Sequence, residues 1–327
     1  MKVFVTRNIP DAGLSLLRKQ VSVEVNPENR VLSKQEIING VRGKDGLLCL
    51  LTDTIDREVI FSEPRLKMIA TYAVGYNNID VATATKQGIP VSNTPDVLTE
   101  TTAELAWSLV FAVARRIVEG DTFTRAGKFA GWDPLLMLGQ DVSGKTLGIV
   151  GAGRIGTAFA LKSRGFDMKV LYVDAQKNPV LEKTVQAKKV ELPELLQHAD
   201  FVSLHVPLIQ QTHHLIGERQ LRMMKPSAVL VNTSRGPVLD ELALIKALKQ
   251  HWIFGAGLDV YEHEPLVSEE LKKLPNIVLQ PHTGSATFET RSKMAVIAAE
   301  NMIAGLQGKQ PKQCINPEVF RQSSKIR

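Results

Sequence analysis

The sequence contains few cysteines and no cluster of residues that resembles a metal site. Cys49 and Cys314 are the two cysteines among 327 residues, and they form no CxxC pair. Nothing in this pattern indicates a disulfide scaffold or a structural zinc site. Cys49 lies in the apolar run of residues 46–51, where a cysteine packs as a small hydrophobic side chain. No spacing of histidines and carboxylates resembles a metal site, so we expect no bound metal.

Long apolar segments are also missing. The most apolar helical stretch, residues 103–114, contains Glu104 and is shorter than the roughly 20 residues that a membrane-spanning helix needs. The first six residues are typical of a β-strand and lack the longer apolar region of a signal peptide. We therefore expect a cytoplasmic protein with no membrane partner.

Charge is spread along the chain and forms no basic cluster. The net charge is +6, from 40 basic and 34 acidic residues that are interspersed. No Lys/Arg run, zinc-finger spacing or aromatic–basic interleaving is present, so we expect no nucleic-acid partner. The small basic excess can attract anionic substrates through its long-range field.

Two series of alternating strands and helices predict two α/β domains. A chain of 327 residues exceeds the size at which one hydrophobic core keeps growing. The first series predicts strands at residues 2–6, 21–25, 46–50, 67–70 and 90–92, with helices at 11–19, 34–41, 56–61 and 79–87. Such alternation is typical of a parallel sheet that is covered by helices.

The second series is long enough for a complete doubly wound nucleotide domain. It predicts six strands, at residues 147–150, 169–173, 201–204, 228–232, 255–258 and 277–280. One long helix at residues 99–125 precedes it, and the apolar surface of that helix predicts a homodimer contact. A last helix at residues 286–306 is expected to return to the first domain. We therefore predict a Rossmann-type NAD-binding domain, residues 99–286, inserted into a smaller flavodoxin-like α/β substrate domain, residues 1–98 plus 287–327.

A glycine turn between a strand and a helix predicts dinucleotide binding. It reads Gly151-Ala152-Gly153-Arg154-Ile155-Gly156, and Asp174 ends the next strand 18 residues after the last glycine. Gly151 permits the tight turn, Gly153 lets backbone N–H groups approach the pyrophosphate, and Gly156 lets the helix pack closely on the strand. The positive end of the helix dipole then faces the phosphates. Because Asp174 can accept hydrogen bonds from ribose hydroxyls and repels a 2′-phosphate, we expect NAD(H) to be preferred, and NADP(H) stays the alternative cofactor.

Three consecutive strands end in side chains that suit hydride transfer to a 2-oxo acid. Arg235, Asp259 with Glu264, and His282 follow the strands that end at residues 232, 258 and 280. Ligands of open parallel sheets bind beyond the carboxyl ends of the strands. Arginine can hold a carboxylate with two parallel hydrogen bonds, and histidine can transfer a proton near neutral pH. A carboxylate on the other ring nitrogen would set the tautomer of the histidine.

At these residues the sequence resembles the D-isomer-specific 2-hydroxyacid dehydrogenases, and most of all their glyoxylate/hydroxypyruvate reductases. The matching stretches are residues 73–80, 101–106, 151–156, 232–236, 257–261 with 264–265, and 281–286, in the order of the family. The resemblance implies that Arg235 binds substrate, that Glu264 is the partner of His282, and that His282 is the acid/base.

The resemblance also implies a set of ligand contacts. The expected cofactor contacts are Thr102, Gly151, Gly153, Arg154, Ile155, Gly156, Asp174, Pro207, Thr233, Ser234 and Asp259. The expected substrate contacts are Leu51, Val74, Gly75, Arg235 and His282, in a cleft between the domains. Trp132 resembles an aromatic residue that reaches the neighbouring subunit's site in the reductases.

Other functions stay open from the sequence. The favoured reaction is NADH-dependent reduction of glyoxylate or hydroxypyruvate to the D-2-hydroxy acid. Another dehydrogenase of the family would act on D-lactate, phosphoglycerate or a bulkier 2-oxo acid. A protein of a different class would keep the fold and bind NAD(H) as a corepressor-like sensor, although the set Arg235, Glu264 and His282 argues for an enzyme.

Overall fold

The computed structural model describes residues 1–322 and divides the chain into two compact units. The first unit contains Met1–Leu98 together with the segment that begins at Ala286, and the second unit contains Thr99–Ser285. The domain boundaries predicted from the sequence, between residues 98 and 99 and between residues 286 and 287, stay a prediction. Within residues 1–322, no helix is both long and apolar enough to cross a membrane.

Strands and short helices alternate through most of the chain. The strands are β1 Lys2–Val5, β2 Ser22–Val25, β3 Gly46–Cys49, β4 Met68–Thr71, β5 Val91–Ser92, β6 Thr146–Val150, β7 Lys169–Val173, β8 Lys188–Lys189, β9 Phe201–Leu204, β10 Val229–Asn232, β11 Gly255–Leu258 and β12 Ile277–Leu279. The helices are α1 Asp11–Arg18, α2 Lys34–Val41, α3 Arg57–Phe61, α4 Val81–Lys86, α5 Thr99–Ala114, α6 Ile117–Arg125, α7 Arg154–Lys162, α8 Pro179–Thr184, α9 Leu192–His198, α10 Glu218–Leu221, α11 Glu241–Lys249, α12 Glu269–Lys272, α13 Phe288–Leu306 and α14 Glu318–Gln322. Short 3₁₀ turns lie at Ser163–Phe166, Gln210–Thr212 and Gly236–Val238.

The first unit is built on a five-stranded parallel sheet in the order β2-β1-β3-β4-β5. This is the flavodoxin-like order, in which the strand order reverses between β1 and β3. Every residue of β3 and β4 is buried, because helices cover both faces of a parallel sheet. The long helix α13 packs on α1 and on β4, so this helix belongs to the core of the first unit.

The second unit contains a seven-stranded parallel sheet in the order β12-β11-β10-β9-β6-β7-β8. Its first six strands follow the order usual for dinucleotide-binding folds, 3-2-1-4-5-6, and β12 extends the sheet by one strand. The sequence predicted six of these strands and missed β8. This strand consists of two lysines at the edge of the sheet, where short charged strands are common and hydrophobic alternation is absent.

The prediction of one helix over residues 99–125 is wrong. The structure has two helices, α5 and α6, separated at Arg115 and Arg116, and Arg116 adopts a left-handed backbone with φ 52°. The carbonyl oxygen of Ala114 accepts a hydrogen bond from the backbone N–H of Gln140 (2.8 Å), so this end of α5 is capped by a distant segment. The periodic apolar residues continue past the break, which is why the pattern gave no sign of it.

Asn316 anchors the C-terminal segment to the sheet of the first unit. Its Oδ1 atom accepts a hydrogen bond from the N–H of Val91 (2.7 Å), and its Nδ2 group donates to the carbonyl of Ile89 (3.0 Å) and the hydroxyl of Thr85 (2.9 Å). Asn316 is 1% exposed. Its loss would leave buried backbone groups without partners, and such groups are costly.

We therefore expect Asn316→Ala to lower the free energy of unfolding of the protein by about 2–4 kcal/mol. Urea denaturation followed by circular dichroism measures this change. The matched control is Asn39→Ala, at an exposed asparagine of the same unit, which should change stability by less than about 0.5 kcal/mol. Equal midpoints for the two variants would contradict the anchoring role.

Candidate active site

The glycine turn brings two backbone segments closer than side chains allow. Gly151 has φ +97°, and a Cβ atom there would lie 2.7 Å from the carbonyl carbon of His205, just after β9. A Cβ atom on Gly156 would lie 2.0 Å from the carbonyl oxygen of Gly151. Both positions therefore require glycine, one for the turn and one for the packing of α7 on that turn.

The start of α7 has the features of a diphosphate site. Gly153 is the N-cap of α7, and a Cβ atom built on it would meet no atom within 4 Å. The first N–H groups of a helix have no partner within the helix and carry the positive end of its dipole. Among residues 1–322, the buried hydroxyl of Thr233 is one of a few side-chain groups without a hydrogen-bond partner. Open space, helix N–H groups and an unused hydroxyl fit a bound dinucleotide.

Asp174 lies directly beside this turn. Its Oδ2 atom accepts a hydrogen bond from the backbone N–H of Ala152 (2.8 Å), and its Oδ1 atom accepts one from the N–H of Gln176 (3.1 Å). Each carboxylate oxygen has a further lone pair that can accept from a ribose hydroxyl. Asp174, the residue predicted to bind the ribose, is therefore held beside the glycine turn.

The loop after β10 carries Arg235. The side chain of Asn232 shapes this loop, since its Oδ1 atom accepts from the N–H of Ser234 (3.0 Å) and its Nδ2 group donates to the carbonyl of Arg235 (3.0 Å). The guanidinium of Arg235 donates from Nη1 to the carbonyl of Ser234 (2.7 Å). Burial lowers the pKa of Arg235, and the charge of Glu264 opposes this change. Arginine stays protonated at neutral pH, so this is a partly buried cation that suits an anionic substrate.

His282 and Glu264 form a hydrogen-bonded pair. The distance between His282 Nδ1 and Glu264 Oε2 is 2.8 Å, and the side chains are 26% and 27% exposed. The other oxygen of Glu264 accepts a hydrogen bond from the backbone N–H of Tyr261 (3.0 Å). An ionised carboxylate only accepts hydrogen bonds, so Nδ1 is assigned the proton and Nε2 is the nitrogen left for chemistry.

The electrostatics of Glu264 favour its ionised form. Burial raises the pKa of this carboxyl, but the hydrogen bond from His282 and the charges of His282 and Arg235 outweigh burial. The net pKa of Glu264 therefore lies below its ordinary value. An ionised Glu264 is therefore a strong acceptor for the Nδ1–H group of His282.

Asp259 holds the loop that contains His282. Its two carboxylate oxygens accept hydrogen bonds from the N–H groups of Thr283 (2.6 Å) and Gly284 (2.8 Å), and Asp259 is 1% exposed. His282 has φ 56°, a left-handed conformation that costs a non-glycine residue about 1 kcal/mol or more. Burial raises the pKa of Asp259, and these backbone N–H groups only partly compensate. The hydrogen bonds that Asp259 accepts thus stabilise the loop whose backbone is strained at His282.

The remaining predicted cofactor contacts also lie in the second unit. The hydroxyl of Thr102, on α5, donates to the carbonyl of Gly284 (3.1 Å), which ties α5 to the His282 loop. Arg154 and Ile155 begin α7, and Pro207 is exposed shortly after β9. Within the described part of the chain, no group of three or more histidine, cysteine or acidic residues could hold a metal ion.

The predicted substrate contacts outside the second unit follow strands of the first. Leu51 lies after β3, in a loop held by Asn78, whose amide donates to the carbonyls of Leu50 (3.0 Å) and Asp53 (2.8 Å). Val74 and Gly75 lie after β4 and are partly buried, and the amide of Asn93 donates to the carbonyl of Val74 (2.7 Å).

Sequence reasoning missed two supporting groups and the supporting role of Asp259, which it predicted only as a cofactor contact. The backbone N–H of Tyr261 orients Glu264, the carboxylate of Asp259 holds two N–H groups of the His282 loop, and Asn178 contacts the glycine turn. A signal existed only for Asn178, since an Asn-Pro pair is typical of a helix start. Backbone partners such as Tyr261 leave no trace in the residue types.

The fold and the site define a dinucleotide-binding oxidoreductase, and comparison with known proteins specifies its family. The family model for the NAD-binding domain of D-isomer specific 2-hydroxyacid dehydrogenases matches residues 107–284. The glyoxylate reductase of Korarchaeum cryptofilum is 52% identical over 322 residues, covering 98% of this chain and 97% of the relative. The glyoxylate reductase of Thermococcus gammatolerans is 50% identical over 324 residues, with coverages of 98% and 97%.

A solved structure agrees in fold. The NADPH-dependent glyoxylate/hydroxypyruvate reductase of Sinorhizobium meliloti, in complex with NADP and malonate, has a TM-score of 0.85 and 28% identity, and the similarity covers 98% of each chain. The chain belongs to the D-isomer specific 2-hydroxyacid dehydrogenase family and is an NAD(P)-dependent enzyme of that family. The fold class and the enzyme class predicted from the sequence are confirmed.

His205 provides a test of the packing beneath the glycine turn. Its ring packs on Phe159 with centroids 5.2 Å apart, and its Nε2 atom lies 2.9 Å from the hydroxyl of Ser203. Burial lowers the pKa of His205 to about 3, so the imidazole stays neutral in the folded protein. In the unfolded chain it binds a proton near pH 6.5. Stability from this residue is therefore present above about pH 6.5 and is lost as pH falls toward 3.

We expect wild-type protein to lose about 2 kcal/mol more unfolding free energy than His205→Gln when the pH falls from 7 to 5. Urea unfolding of both proteins at the two pH values measures the difference, in which the titration of all other groups cancels. His198→Gln, at an exposed histidine, is the control and should follow the wild type. Parallel pH dependence of wild type and His205→Gln would show that the ring is accessible to protons.

Proposed function

We propose that this protein reduces a small 2-oxo acid, glyoxylate or hydroxypyruvate, to the D-2-hydroxy acid with NADH. The observation that carries the proposal is the hydrogen-bonded pair of His282 and Glu264 (2.8 Å), which lies in the same unit as Arg235. This set supplies a proton donor, an anionic partner that stabilises the charged donor, and a cation for the substrate carboxylate.

Each proposed side chain has a distinct task. When bound, the reduced nicotinamide supplies the hydride that adds to the C2 carbonyl carbon of the substrate. His282 donates the proton from Nε2 to the carbonyl oxygen, so that the C=O double bond becomes a C–O single bond while new C–H and O–H bonds form. Glu264 stabilises the imidazolium before this transfer and keeps the proton on Nδ1 afterwards.

Arg235 is proposed to bind and polarise the substrate. A guanidinium can bond a carboxylate with two parallel N–H donors, and its charge also stabilises negative charge that develops on the carbonyl oxygen. Its partial burial strengthens both interactions, because water screens a buried charge less. Leu51, Val74 and Gly75 stay proposed substrate contacts on the strength of the family resemblance.

The preference for NAD(H) is also a proposal. Asp174 beside the glycine turn supports it, because a carboxylate there accepts ribose hydroxyls and repels a 2′-phosphate. The Sinorhizobium meliloti relative binds NADP, so members of this fold accept either dinucleotide. An intracellular dinucleotide agrees with the cytoplasmic location expected from the sequence.

The substrate proposal is supported by the relatives. The two reductases that share about half of their residues with this chain are named for glyoxylate. Hydroxypyruvate appears in the name of the more distant Sinorhizobium meliloti enzyme. The competing outcomes are D-lactate dehydrogenase activity and reduction of a bulkier 2-oxo acid. A panel of 2-oxo acids distinguishes them.

A homodimer through the second unit is proposed from its exposed apolar surface. Residues 117–138 expose Ile117, Val118, Phe129, Trp132, Leu135 and Leu138. Trp132 is 85% exposed, which is unusual for so large an apolar side chain. A second copy of the chain would cover this surface, in keeping with the predicted subunit contact of Trp132.

Replacement of His282 tests the reaction. His282→Gln should reduce turnover at least about a hundredfold, because it removes the proton donor, while the Kd for NADH changes less than about twofold. Steady-state oxidation of NADH and of NADPH with glyoxylate, hydroxypyruvate, pyruvate and a branched 2-oxo acid measures both turnover and specificity. His198→Gln is the matched control. Wild-type protein without activity on the whole panel would refute the proposed reduction of a small 2-oxo acid, and an active His282→Gln variant would refute the role of His282.

Replacement of Arg235 tests substrate binding. Arg235→Lys keeps the charge and loses the bidentate geometry, so we expect the KM for the 2-oxo acid to rise at least about tenfold and turnover to fall as well. The Kd for NADH should stay near the wild-type value. Arg219→Lys, at an exposed arginine of the same unit, is the control. Kinetic constants equal to those of the control would remove Arg235 from the substrate site.

A further inference from the structure

Side chains of one loop hold both backbone polar groups of Ala152, its N–H and its C=O, which belong to two successive peptide units. The loop follows β7 and spans residues 174–178. Asp174 accepts a hydrogen bond from the N–H of Ala152 (2.8 Å), and the Nδ2 group of Asn178 donates to the carbonyl of Ala152 (2.9 Å). Ala152 is the central residue of the glycine turn, and it is 7% exposed.

Asn178 uses all of its hydrogen-bonding groups in this network. Its second Nδ2 hydrogen goes to the hydroxyl of Thr157 (2.8 Å), which itself donates to the carbonyl of Ala152 (3.1 Å). Its Oδ1 atom accepts from the N–H of Leu181 (3.1 Å) as the N-cap of α8, and its own N–H donates to the hydroxyl of Tyr172 (2.9 Å). These partners fix the orientation of the side-chain amide, because two acceptors face Nδ2 and the N–H donor of Leu181 faces Oδ1.

The turn needs such support because glycines flank Ala152 on both sides. Gly151 and Gly153 have no side chain that restricts rotation, so the two peptide units on either side of Ala152 could adopt several orientations. The two side chains of the 174–178 loop select one orientation before any ligand arrives. A site whose backbone is already ordered loses less entropy on binding and therefore binds more tightly.

We propose that Asn178 is a positioning residue for dinucleotide binding, which it supports by fixing the carbonyl of Ala152 and the hydroxyl of Thr157. This inference rests on the proposed function, because it assumes that the glycine turn binds NADH. Asn178 acts through the backbone of the turn, together with Asp174, which binds the N–H of the same residue, Ala152. It therefore affects affinity for the ADP-ribose part of the cofactor and leaves the hydride and proton transfers to other residues.

Asn178→Ser separates this role from the capping of α8. Serine keeps an oxygen that can accept the N–H of Leu181, but it loses the amide that donates to Ala152 and Thr157. We expect the Kd for NADH and the Kd for ADP-ribose both to rise about tenfold, which corresponds to the loss of one or two buried hydrogen bonds. Turnover at saturating NADH should fall less than about twofold. Fluorescence titration of NADH, competition with ADP-ribose and steady-state kinetics on the full-length protein measure these values.

A second pair of variants guards against a folding defect. Thr157→Val keeps the shape of the side chain and loses the hydroxyl, whereas Thr157→Ser keeps the hydroxyl and is the matched control. The valine variant should weaken NADH binding in the same direction as Asn178→Ser, and the serine variant should bind like the wild type. Thermal unfolding without ligand shows whether each variant is folded.

The outcomes distinguish this inference from the proposed function. Wild-type protein that fails to bind NADH would refute the proposed function and the role of Asn178 with it. Wild-type protein that binds NADH, with folded Asn178→Ser and Thr157→Val variants that bind within about twofold of it, would overturn only the role of Asn178. A fall in turnover with unchanged Kd would overturn it as well, since it would place Asn178 in the chemical step.

Discussion

The buried carboxylate of Asp259 accepts hydrogen bonds from two consecutive N–H groups, and the geometry around His282 depends on this interaction. The backbone of His282 is left-handed, so it is stable only while the residues that follow it are held in place. The carboxylate of Asp259 holds the N–H groups of Thr283 and Gly284, and the hydroxyl of Thr102 on α5 donates a hydrogen bond to the carbonyl of Gly284. His282 can then meet Glu264 at hydrogen-bond distance.

Charges in the site are arranged so that each compensates another. Glu264 is partly buried, which alone would favour its neutral form, and the positive groups His282 and Arg235 reverse that preference. Arg235 loses hydration through burial, and Glu264 partly restores the stability of its charge. Removing the charge of Arg235 or that of Glu264 would therefore shift the pKa of the other residue as well. An anionic substrate would give Arg235 a negatively charged partner of its own, and Glu264 would remain the partner of His282.

The sequence predicted the features that depend on residue type and missed those that depend on backbone partners. Both parallel sheets followed from alternating strands and helices, and the positions of Arg235, Glu264 and His282 followed from the ends of three strands. The break between α5 and α6 was missed because the N–H group that caps Ala114 belongs to Gln140, which no helical period reveals. Strand β8 was missed because two lysines carry no hydrophobic pattern. The roles of the site residues stay predictions, since side-chain proximity alone does not measure turnover.

Asp174 links the choice of cofactor to the shape of the glycine turn. One of its oxygens accepts a hydrogen bond from the N–H of Ala152, so the carboxylate that we propose to bind a ribose hydroxyl also orders the backbone of the glycine turn. A substitution that accommodates a 2′-phosphate by removing this carboxylate would take away the acceptor of the Ala152 N–H, while Asn178 and Thr157 still donate to the Ala152 carbonyl. Affinity for both dinucleotides would then fall, even as the preference between them shifted toward NADP(H). A change of cofactor preference in this chain therefore requires a new acceptor for the Ala152 N–H as well as a cation for the phosphate.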